Sequence, residues 1–182
     1  MLFTRRRGLL SLAALIPLAP TFHAAGLLAE RASERAAARP AAVFPMLARP
    51  DWGEQDARFG AYRSGHMHEG QDVFAKAGTP LVAMRDGRVV ETGDDGGRGN
   101  YIAIWSREAH STFVYLHMLR PARLHPGERV RAGQRVGAVG CTGSCWGDHL
   151  HLEMRRGRGT TGRPHDPLPV LKRLAARRAA RE

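Results

Sequence analysis

The sequence predicts a mostly β fold, a compact antiparallel β-sheet domain with few helices. Short runs rich in β-branched and aromatic residues recur between Gly, Asp and Pro turn signals over residues 49–167. No amphipathic helix of about 10–15 residues alternates with these runs, which argues against a parallel sheet built from βαβ units. The chain has 182 residues, enough for one domain with extensions and a sizeable core.

The predicted strands follow one another along the chain, each bounded by turn residues. They are residues 79–84, 87–92, 100–106, 111–118, 134–139 and 149–154. Residues 94–99, which read DDGGRG, form a loop between the second and third of these strands. After the last strand, Leu168, Leu171 and Leu174 are spaced to dock one short helix against the domain.

The first 25 residues are typical of an export signal. Three arginines at positions 5–7 precede an uncharged apolar run over residues 8–20, and small residues follow near Ala25. The apolar run is shorter than the roughly 20 residues that a membrane-spanning helix requires. The arginines also resemble a twin-arginine export signal. We therefore expect cleavage near Ala25 and a protein outside the cytoplasm, with an uncleaved anchor as the alternative.

Composition divides the rest of the chain into three parts. Residues 26–48 are rich in Ala and Arg and are interpreted as a linker, residues 49–166 as the main domain, and residues 167–182 as a basic tail. No other long apolar run exists, so no membrane span is expected after signal cleavage. The two cysteines, Cys141 and Cys145, are expected to form a disulfide in an exported chain, with free thiols as the alternative.

The chain carries a strong positive charge. It has 28 Lys and Arg against 17 Asp and Glu, a formal net charge of +11. Such a balance favours an anionic partner, which includes nucleic acid, a membrane surface or an anionic wall polymer. No nucleic-acid recognition motif accompanies the arginines, so nucleic acid is not expected to bind. We expect a monomer.

Histidines in the last predicted strand share one face. Residues two apart in a strand point to the same side, which groups His149 and His151 with Glu153. The opposite face is apolar and is expected to point into the core; it carries Leu150, Leu152 and Met154. By the same alternation, His117 is expected on the face of its strand that also holds Phe113 and Tyr115.

A third segment completes a set of metal donors. His68 and Asp72 offer an imidazole and a carboxylate, and Gly70 lets the backbone bend between them. A catalytic zinc ion needs about three protein ligands and one open position for water. His68, Asp72 and one histidine of the pair 149 and 151 meet this requirement, and the spacing leaves open which histidine it is.

These segments resemble the lysostaphin/LytM-type zinc metallopeptidases in order and spacing, over about residues 65–153. The matching stretches are HEGQD, AGTPLVAMRDGRVV, GNYIAI, YLHM, PGERVRAGQRVGAVG and TGSCWGDHLHLE. The resemblance implies a groove floored by an antiparallel sheet. It also assigns the site residues: His68, Asp72 and His151 as ligands of Zn²⁺, and His117 and His149 as catalytic histidines that do not bind the metal.

The function implied by the resemblance is that of a zinc metalloendopeptidase, a hydrolase that cuts peptide cross-links of bacterial peptidoglycan. Residues 49–166 would then be the catalytic domain, and the protein would be secreted, periplasmic or associated with the cell wall. The alternative is a non-catalytic family member that binds the wall or activates another wall hydrolase. Such members have lost zinc ligands, whereas all five site positions are intact here.

The chain departs from the family pattern before the last strand. The family often has Ser-Thr-Gly-Pro there, where this chain has residues 144–148, SCWGD. Asp148 is expected to favour the protonated form of His149. His66 is an alternative ligand, with an exposed or supporting histidine as the simpler interpretation. The histidines outside the motifs are expected to be structural or at the surface; they are His23, His110, His125 and His165.

Overall fold

The computed structural model describes residues 40–182, which form one compact unit, Pro40–Glu182. The predicted export signal and the first part of the predicted linker lie outside the described residues. The strands are Tyr62–Arg63 (β1), His66–Met67 (β2), Gln71–Phe74 (β3), Pro80–Val82 (β4), Gly87–Asp95 (β5), Gly99–Ser106 (β6), Ser111–Met118 (β7), Arg129–Val130 (β8), Arg135–Ala138 (β9), His149–Arg156 (β10) and Pro164–His165 (β11). The helical elements are a 3₁₀ turn, Gln55–Ala57, and the helix α1, Leu168–Ala179.

One antiparallel sheet dominates the described unit. Its strand order is β11-β10-β7-β6-β5-β8, and β3 pairs with the N-terminal half of β10 on the same edge as β11. Two small sheets, β1-β2 and β4-β9, complete the fold. The prediction of a mostly β, antiparallel domain is confirmed. Each predicted strand is present, whereas the short strands β1, β2, β3, β8 and β11 were not predicted.

The core lies against one face of the main sheet. Leu150 and Leu152 of β10 are fully buried there beside Tyr115 of β7, as alternation predicted for β10. The two-stranded sheet β4-β9 and helix α1 cover this face, and α1 contributes Leu171 and Leu174. The opposite face of the sheet carries a smaller apolar cluster and, at its end, the polar residues of the cleft.

The core also takes residues from both sides of the predicted domain. Phe44 and Met46, from the segment interpreted as a linker, are buried in it, and Met46 forms a β-bridge with Leu81. On the other side, Arg178 of α1 donates hydrogen bonds to the backbone carbonyls of Met46 and Ala48. The folded unit therefore extends beyond residues 49–166. No helix of the described unit is long and apolar enough to cross a membrane.

Strand β7 is not regular at its end. Asn100 of β6 pairs with Met118 and Ile102 pairs with Tyr115, so that Leu116 and His117 together lie opposite the one residue between. This is a β-bulge, which inserts one extra residue and shifts the alternation. His117 has a φ of 57°, in the left-handed region that non-glycine residues rarely adopt.

The bulge corrects one prediction. Strict alternation placed His117 on the face of Phe113 and Tyr115, but these two aromatic residues point into the core. After the extra residue, His117 shares a face with Leu116, which lies directly opposite His151 in β10. His117 therefore points into the same cleft as His151.

Candidate metal centre and catalytic cleft

Three side chains converge at the N-terminal end of β10. The Nε2 atom of His68 lies 3.1 Å from Oδ1 of Asp72 and 2.9 Å from Nδ1 of His151. The third side of this triangle, from His151 Nδ1 to Asp72 Oδ1, measures 2.8 Å. All three residues are buried, and Asp72 is fully inaccessible to solvent. The three ligand positions that the resemblance implied are thus brought together.

Strand pairing explains how distant residues meet. Asp72 of β3 lies directly opposite His151 of β10 in the antiparallel register. His68 precedes β3 and reaches the same point because the chain passes close to β10 at Gly70. A Cβ atom on Gly70 would lie 2.6 Å from Nε2 of His151 and 2.6 Å from the carbonyl oxygen of Leu152. The glycine is therefore required for close approach rather than for a bend.

The hydrogen-bond partners fix which ring nitrogens carry protons. Nδ1 of His68 lies 2.8 Å from the carbonyl oxygen of Arg58, which can only accept. Nε2 of His151 lies 3.3 Å from the Oε1 carboxylate oxygen of Glu153, which also accepts. When both rings are neutral, the remaining nitrogens, Nε2 of His68 and Nδ1 of His151, therefore face Asp72 with lone pairs. Three acceptors without a proton between them need a cation, and two imidazoles with one carboxylate suit Zn²⁺.

The electrostatics of the triangle point the same way. Burial raises the pKa of Asp72, but the neighbouring imidazoles of His151 and His68 outweigh it and hold the pKa well below its usual range. Burial lowers the pKa of His151, but Asp72 and Glu153 outweigh it and raise the pKa above its usual value. The Asp72 carboxylate thus stays ionised and attracts a positive charge.

A second layer of charged residues supports the ligands. Glu153 accepts a 2.5 Å hydrogen bond from Nε of Arg155, which also contacts Glu69 through Nη2. On the other side, Nη2 of Arg63 donates to Oδ2 of Asp72 at 2.6 Å. Such partners orient ligands and set their basicity. Strand alternation predicted the face of Glu153 but neither arginine, because the contacts of Arg63 with Asp72 and of Arg155 with Glu69 join separate segments.

The two other histidines flank the triangle. The rings of His117 and His149 lie 5.0 Å apart, and His149 Nε2 is 3.6 Å from Oδ1 of Asp72. Nδ1 of His117 is 2.8 Å from the carbonyl oxygen of Thr142, and Nδ1 of His149 is 2.7 Å from that of Gly147. Both Nδ1 atoms therefore carry the proton, and each Nε2 keeps a free lone pair.

Both flanking histidines are neutral at physiological pH. Burial lowers the pKa of His117 to about 4, and burial also lowers the pKa of His149. Asp148 was expected to favour protonated His149, and this expectation is wrong. The Asp148 carboxylate accepts a hydrogen bond from the backbone N–H of Ala77 instead. Neutral imidazoles beside a cation site can accept protons.

One short loop positions both of these histidines. A disulfide joins Cys141 to Cys145, as the sequence predicted, and the loop supplies the Thr142 carbonyl that holds His117. The Sγ atom of Cys145 lies 3.7 Å from Nδ1 of His149. The cleft itself, about 670 Å³, lies between this loop, the β1-β2 hairpin and the loop before β6.

The remaining histidines take no part in the cluster of metal donors found in the described unit. His66 is exposed and lies opposite Arg63 in the β1-β2 hairpin, outside the group of converging donors. His110 and His125 are exposed or in turns, and His165 lies in β11. His23 lies outside the described residues.

Comparison with known proteins agrees with this geometry. The profile described as peptidase family M23 matches residues 66–167, more than half of the chain. Glycyl-glycine endopeptidase ALE-1 of Staphylococcus capitis is 34% identical over 110 residues, which are 60% of this chain and 30% of that protein. Peptidoglycan DD-endopeptidase ShyC of Vibrio cholerae is 41% identical over 86 residues, 47% of this chain and 19% of that protein.

A solved structure shows the same fold. The catalytic domain of lysostaphin from Staphylococcus simulans superposes with a TM-score of 0.57 at 34% identity, over 63% of this chain and 89% of that one. The match thus spans less than a third of the full length of either curated relative, yet nearly the whole of an isolated catalytic domain. The chain belongs to peptidase family M23.

Proposed function

From this family membership, we propose that the protein is a zinc metalloendopeptidase that hydrolyses peptide cross-links of bacterial peptidoglycan. The observation that carries the proposal is the triangle of three converging ligand atoms, flanked by two neutral histidines at an open cleft. A structural metal site is closed by a fourth protein ligand, whereas this cluster has three donors, as a catalytic site requires.

His68, Asp72 and His151 are the proposed zinc ligands. The chemistry that a zinc ion supplies in such a site is Lewis acidity, which polarises a carbonyl group and acidifies water. The chain's own contribution is to hold the three donor atoms in place: the Arg58 carbonyl orients His68, and Glu153 orients His151. Arg63 occupies the second oxygen of Asp72, which leaves Oδ1 for the metal.

His117 and His149 are the proposed proton-transfer residues. The carbonyls of Thr142 and Gly147 tie up both Nδ1 atoms, so a proton can arrive and leave only at Nε2. One Nε2 takes the proton of the attacking water, and an N–H formed in the cleft then stabilises the oxyanion or returns the proton to the leaving amine. Either histidine fits either role.

The place of action follows from the substrate. Peptidoglycan lies outside the cytoplasm, so the protein is proposed to be secreted, periplasmic or wall-associated, exported by the signal in residues 1–25. N-terminal sequencing of the exported protein should find a start near Ala25 or Gly26. Recovery of the chain with Met1 intact from the cytoplasm alone would contradict this assignment.

The function is tested by digesting purified peptidoglycans of several cross-link types and identifying the products by mass spectrometry. The zinc-loaded protein should release new amino termini, a chelator should stop the release, and added zinc should restore it. A protein that binds peptidoglycan, contains zinc and releases no peptide would instead be a non-catalytic wall-binding relative.

A further inference from the structure

Arg63 stands out among the residues that line the cleft. It lies on β1, one wall of the cleft, and its guanidinium reaches the floor, where Nη2 bonds to Oδ2 of Asp72 at 2.6 Å. No other Lys or Arg of the described unit lines this cleft. The two acidic residues that line it, Glu69 and Glu153, are both engaged by Arg155. Arg63 is therefore the cationic group available to a ligand in the cleft.

The guanidinium of Arg63 is held at several points. Nε and Nη2 donate to the backbone carbonyl of Asp56 at 3.1 and 2.5 Å, and the Trp146 ring centroid lies 5.7 Å from Cζ. Trp146 directly follows Cys145 of the disulfide, so Arg63 extends from the hairpin towards the disulfide loop. A group fixed in this way binds a ligand without first losing conformational freedom.

One part of this guanidinium is unused. Within the part of the chain that the structure describes, Nη1 makes no hydrogen bond, although the side chain is only 17% exposed. Nη1 carries two N–H donors, and guanidinium groups bind carboxylates in strong, charge-assisted pairs. The free donors thus belong to a guanidinium that lines the cleft and contacts Asp72, one of the proposed metal ligands.

The names of the two relatives specify two kinds of peptide bond, one between two glycines and one between two D-residues. A bond between two glycines inside a bridge carries no charge on either flanking carbon. A bond whose nitrogen is attached to a D-residue with a free carboxylate places a negative charge on the carbon next to the scissile nitrogen. An arginine beside the metal ligands has a partner in the second kind of bond and none in the first.

We propose that Arg63 is a specificity-determining residue that binds a substrate carboxylate on the carbon attached to the scissile amide nitrogen. The chain then prefers cross-links or peptide ends of this type to glycyl-glycine bridges. This inference rests on the proposed endopeptidase function. Arg63 serves both purposes at once because Nη2 holds Asp72 while Nη1 binds the substrate.

The test compares two soluble peptides that differ only at this group: one with a free carboxylate next to the scissile D-D bond, and one with the same group as a primary amide. For the wild-type protein, kcat/KM should be about tenfold to hundredfold higher for the carboxylate, the range of a charge-assisted hydrogen bond. In Arg63→Gln the ratio should fall close to one. Because the ratio is taken within one preparation, the folded and zinc-loaded fractions cancel.

Arg155→Gln is the matched control. Arg155 also contacts the carboxylates that support the site, but it does not line the cleft. Its loss should lower kcat/KM for both peptides equally and leave the ratio at the wild-type value. Zinc content, measured by elemental analysis for each variant, separates an effect on the metal from an effect on the substrate.

A second measurement does not depend on catalysis. Calorimetric titration of the two intact peptides into zinc-free wild-type protein should show tighter binding of the carboxylate, and Arg63→Gln should remove the difference. Equal kcat/KM values for the two peptides in the wild-type protein, or a preference retained by Arg63→Gln, would overturn the proposal. If the wild-type protein cleaves neither peptide nor any peptidoglycan, the proposed function fails, and the titration alone then decides the role of Arg63.

Discussion

Strands β10 and β7 position the histidines of the candidate site by different means. β10 is regular, and its two-residue period alone places His149 and His151 on the cleft face while Leu150 and Leu152 enter the core. β7 is interrupted by a bulge, and His117 reaches the cleft only because one extra residue moves it away from the core face. The alternation of a regular strand can be predicted from the sequence, whereas the extra residue of a β-bulge cannot.

The difference has an energetic side. His149 and His151 sit in ordinary strand geometry, so their positions cost the backbone nothing beyond β-sheet formation. His117 has a positive φ, which costs a non-glycine residue roughly 1–2 kcal/mol. Such strain persists where the surrounding structure fixes the residue, here through the Thr142 carbonyl and the pairing of Met118.

The largest effect should come from removing the ligand on β10. His151→Ala leaves only two protein ligands, so we expect zinc to be lost and hydrolysis of peptidoglycan to be abolished. His66→Ala is the control, since His66 is exposed and lies outside the donor triangle; it should keep about one zinc ion per chain. Elemental analysis beside the hydrolysis assay measures both quantities. Retention of zinc by His151→Ala would refute the ligand assignment.

Removing either non-ligand histidine should separate catalysis from metal binding. His149→Ala and His117→Ala should keep zinc, while the hydrolysis rate falls about 10²–10⁴-fold, the usual contribution of a general acid–base group. The regular and the bulged strand should thus give equivalent catalysts. If His149→Ala loses zinc and His151→Ala keeps it, the two residues of β10 have exchanged roles.

A substitution on the core face of β10 should lower the stability of the protein and leave the hydrolysis rate unchanged. Leu152→Ala removes a fully buried side chain and should lower the free energy of unfolding by about 2–5 kcal/mol. The rate per folded, zinc-loaded molecule should stay unchanged. Leu47→Ala, at an exposed position, should change stability by less than about 0.5 kcal/mol. Denaturant unfolding and zinc-normalised rates check both; a selective loss of rate in Leu152→Ala would mean that the two faces are not independent.

As the pH falls, protonation should affect the proposed ligand His151 on β10 before it affects His117 on β7. The pKa of His151 is raised, so protons compete with zinc for Nδ1 as the pH falls towards and below neutrality. The pKa of His117 is about 4, so this histidine stays neutral over the same range. Between pH 7 and pH 5 we expect activity and zinc content to fall together, by up to about tenfold per pH unit for one competing proton. Loss of activity with full zinc content would point to a flanking histidine instead.

The smallest expected effect concerns the backbone strain at position 117. It is measured by comparing the Ala and Gly variants at positions 149 and 117. In the regular strand, His149→Gly should be about 0.5–1 kcal/mol less stable than His149→Ala, since glycine weakens a strand. At position 117 the order should reverse, because glycine adopts a positive φ without steric cost. Chemical denaturation of the four variants measures the differences. The same order at both positions would show that the bulge is not strained.

Sequence patterns predicted the elements that depend on local chemistry. Strand alternation placed His149, His151 and Glu153 together, and the resemblance selected His151 as the ligand, which then proved to lie in the triangle. Patterns did not predict the bulge at His117, because its cause is the pairing with β6. Nor did they reveal Arg63, whose partner Asp72 is 9 residues away, or the contact of Arg155 with Glu69, which is 86 residues away.

The boundaries of the folded domain were also not predicted correctly from the sequence. Phe44 and Met46 lie in an Ala- and Arg-rich segment in which apolar residues show no regular spacing, so the neighbouring sequence does not indicate that they are buried. They are buried because the β4-β9 sheet and helix α1 leave an apolar surface for them to cover. Tertiary packing decides such cases, and a single sequence does not show it.

The metal triangle joins positions that are 83 residues apart, His68 and His151. In the unfolded chain these donors are separated by a long loop, so no preformed site exists for an ion to find. An ion bound there would tie the first strand of the main sheet to the last long one, and would favour the folded state by mass action. Zinc content then reports whether the native strand pairing has formed. A chain in which β3 and β10 are mispaired holds no metal, and it therefore cannot hydrolyse a substrate before it has folded.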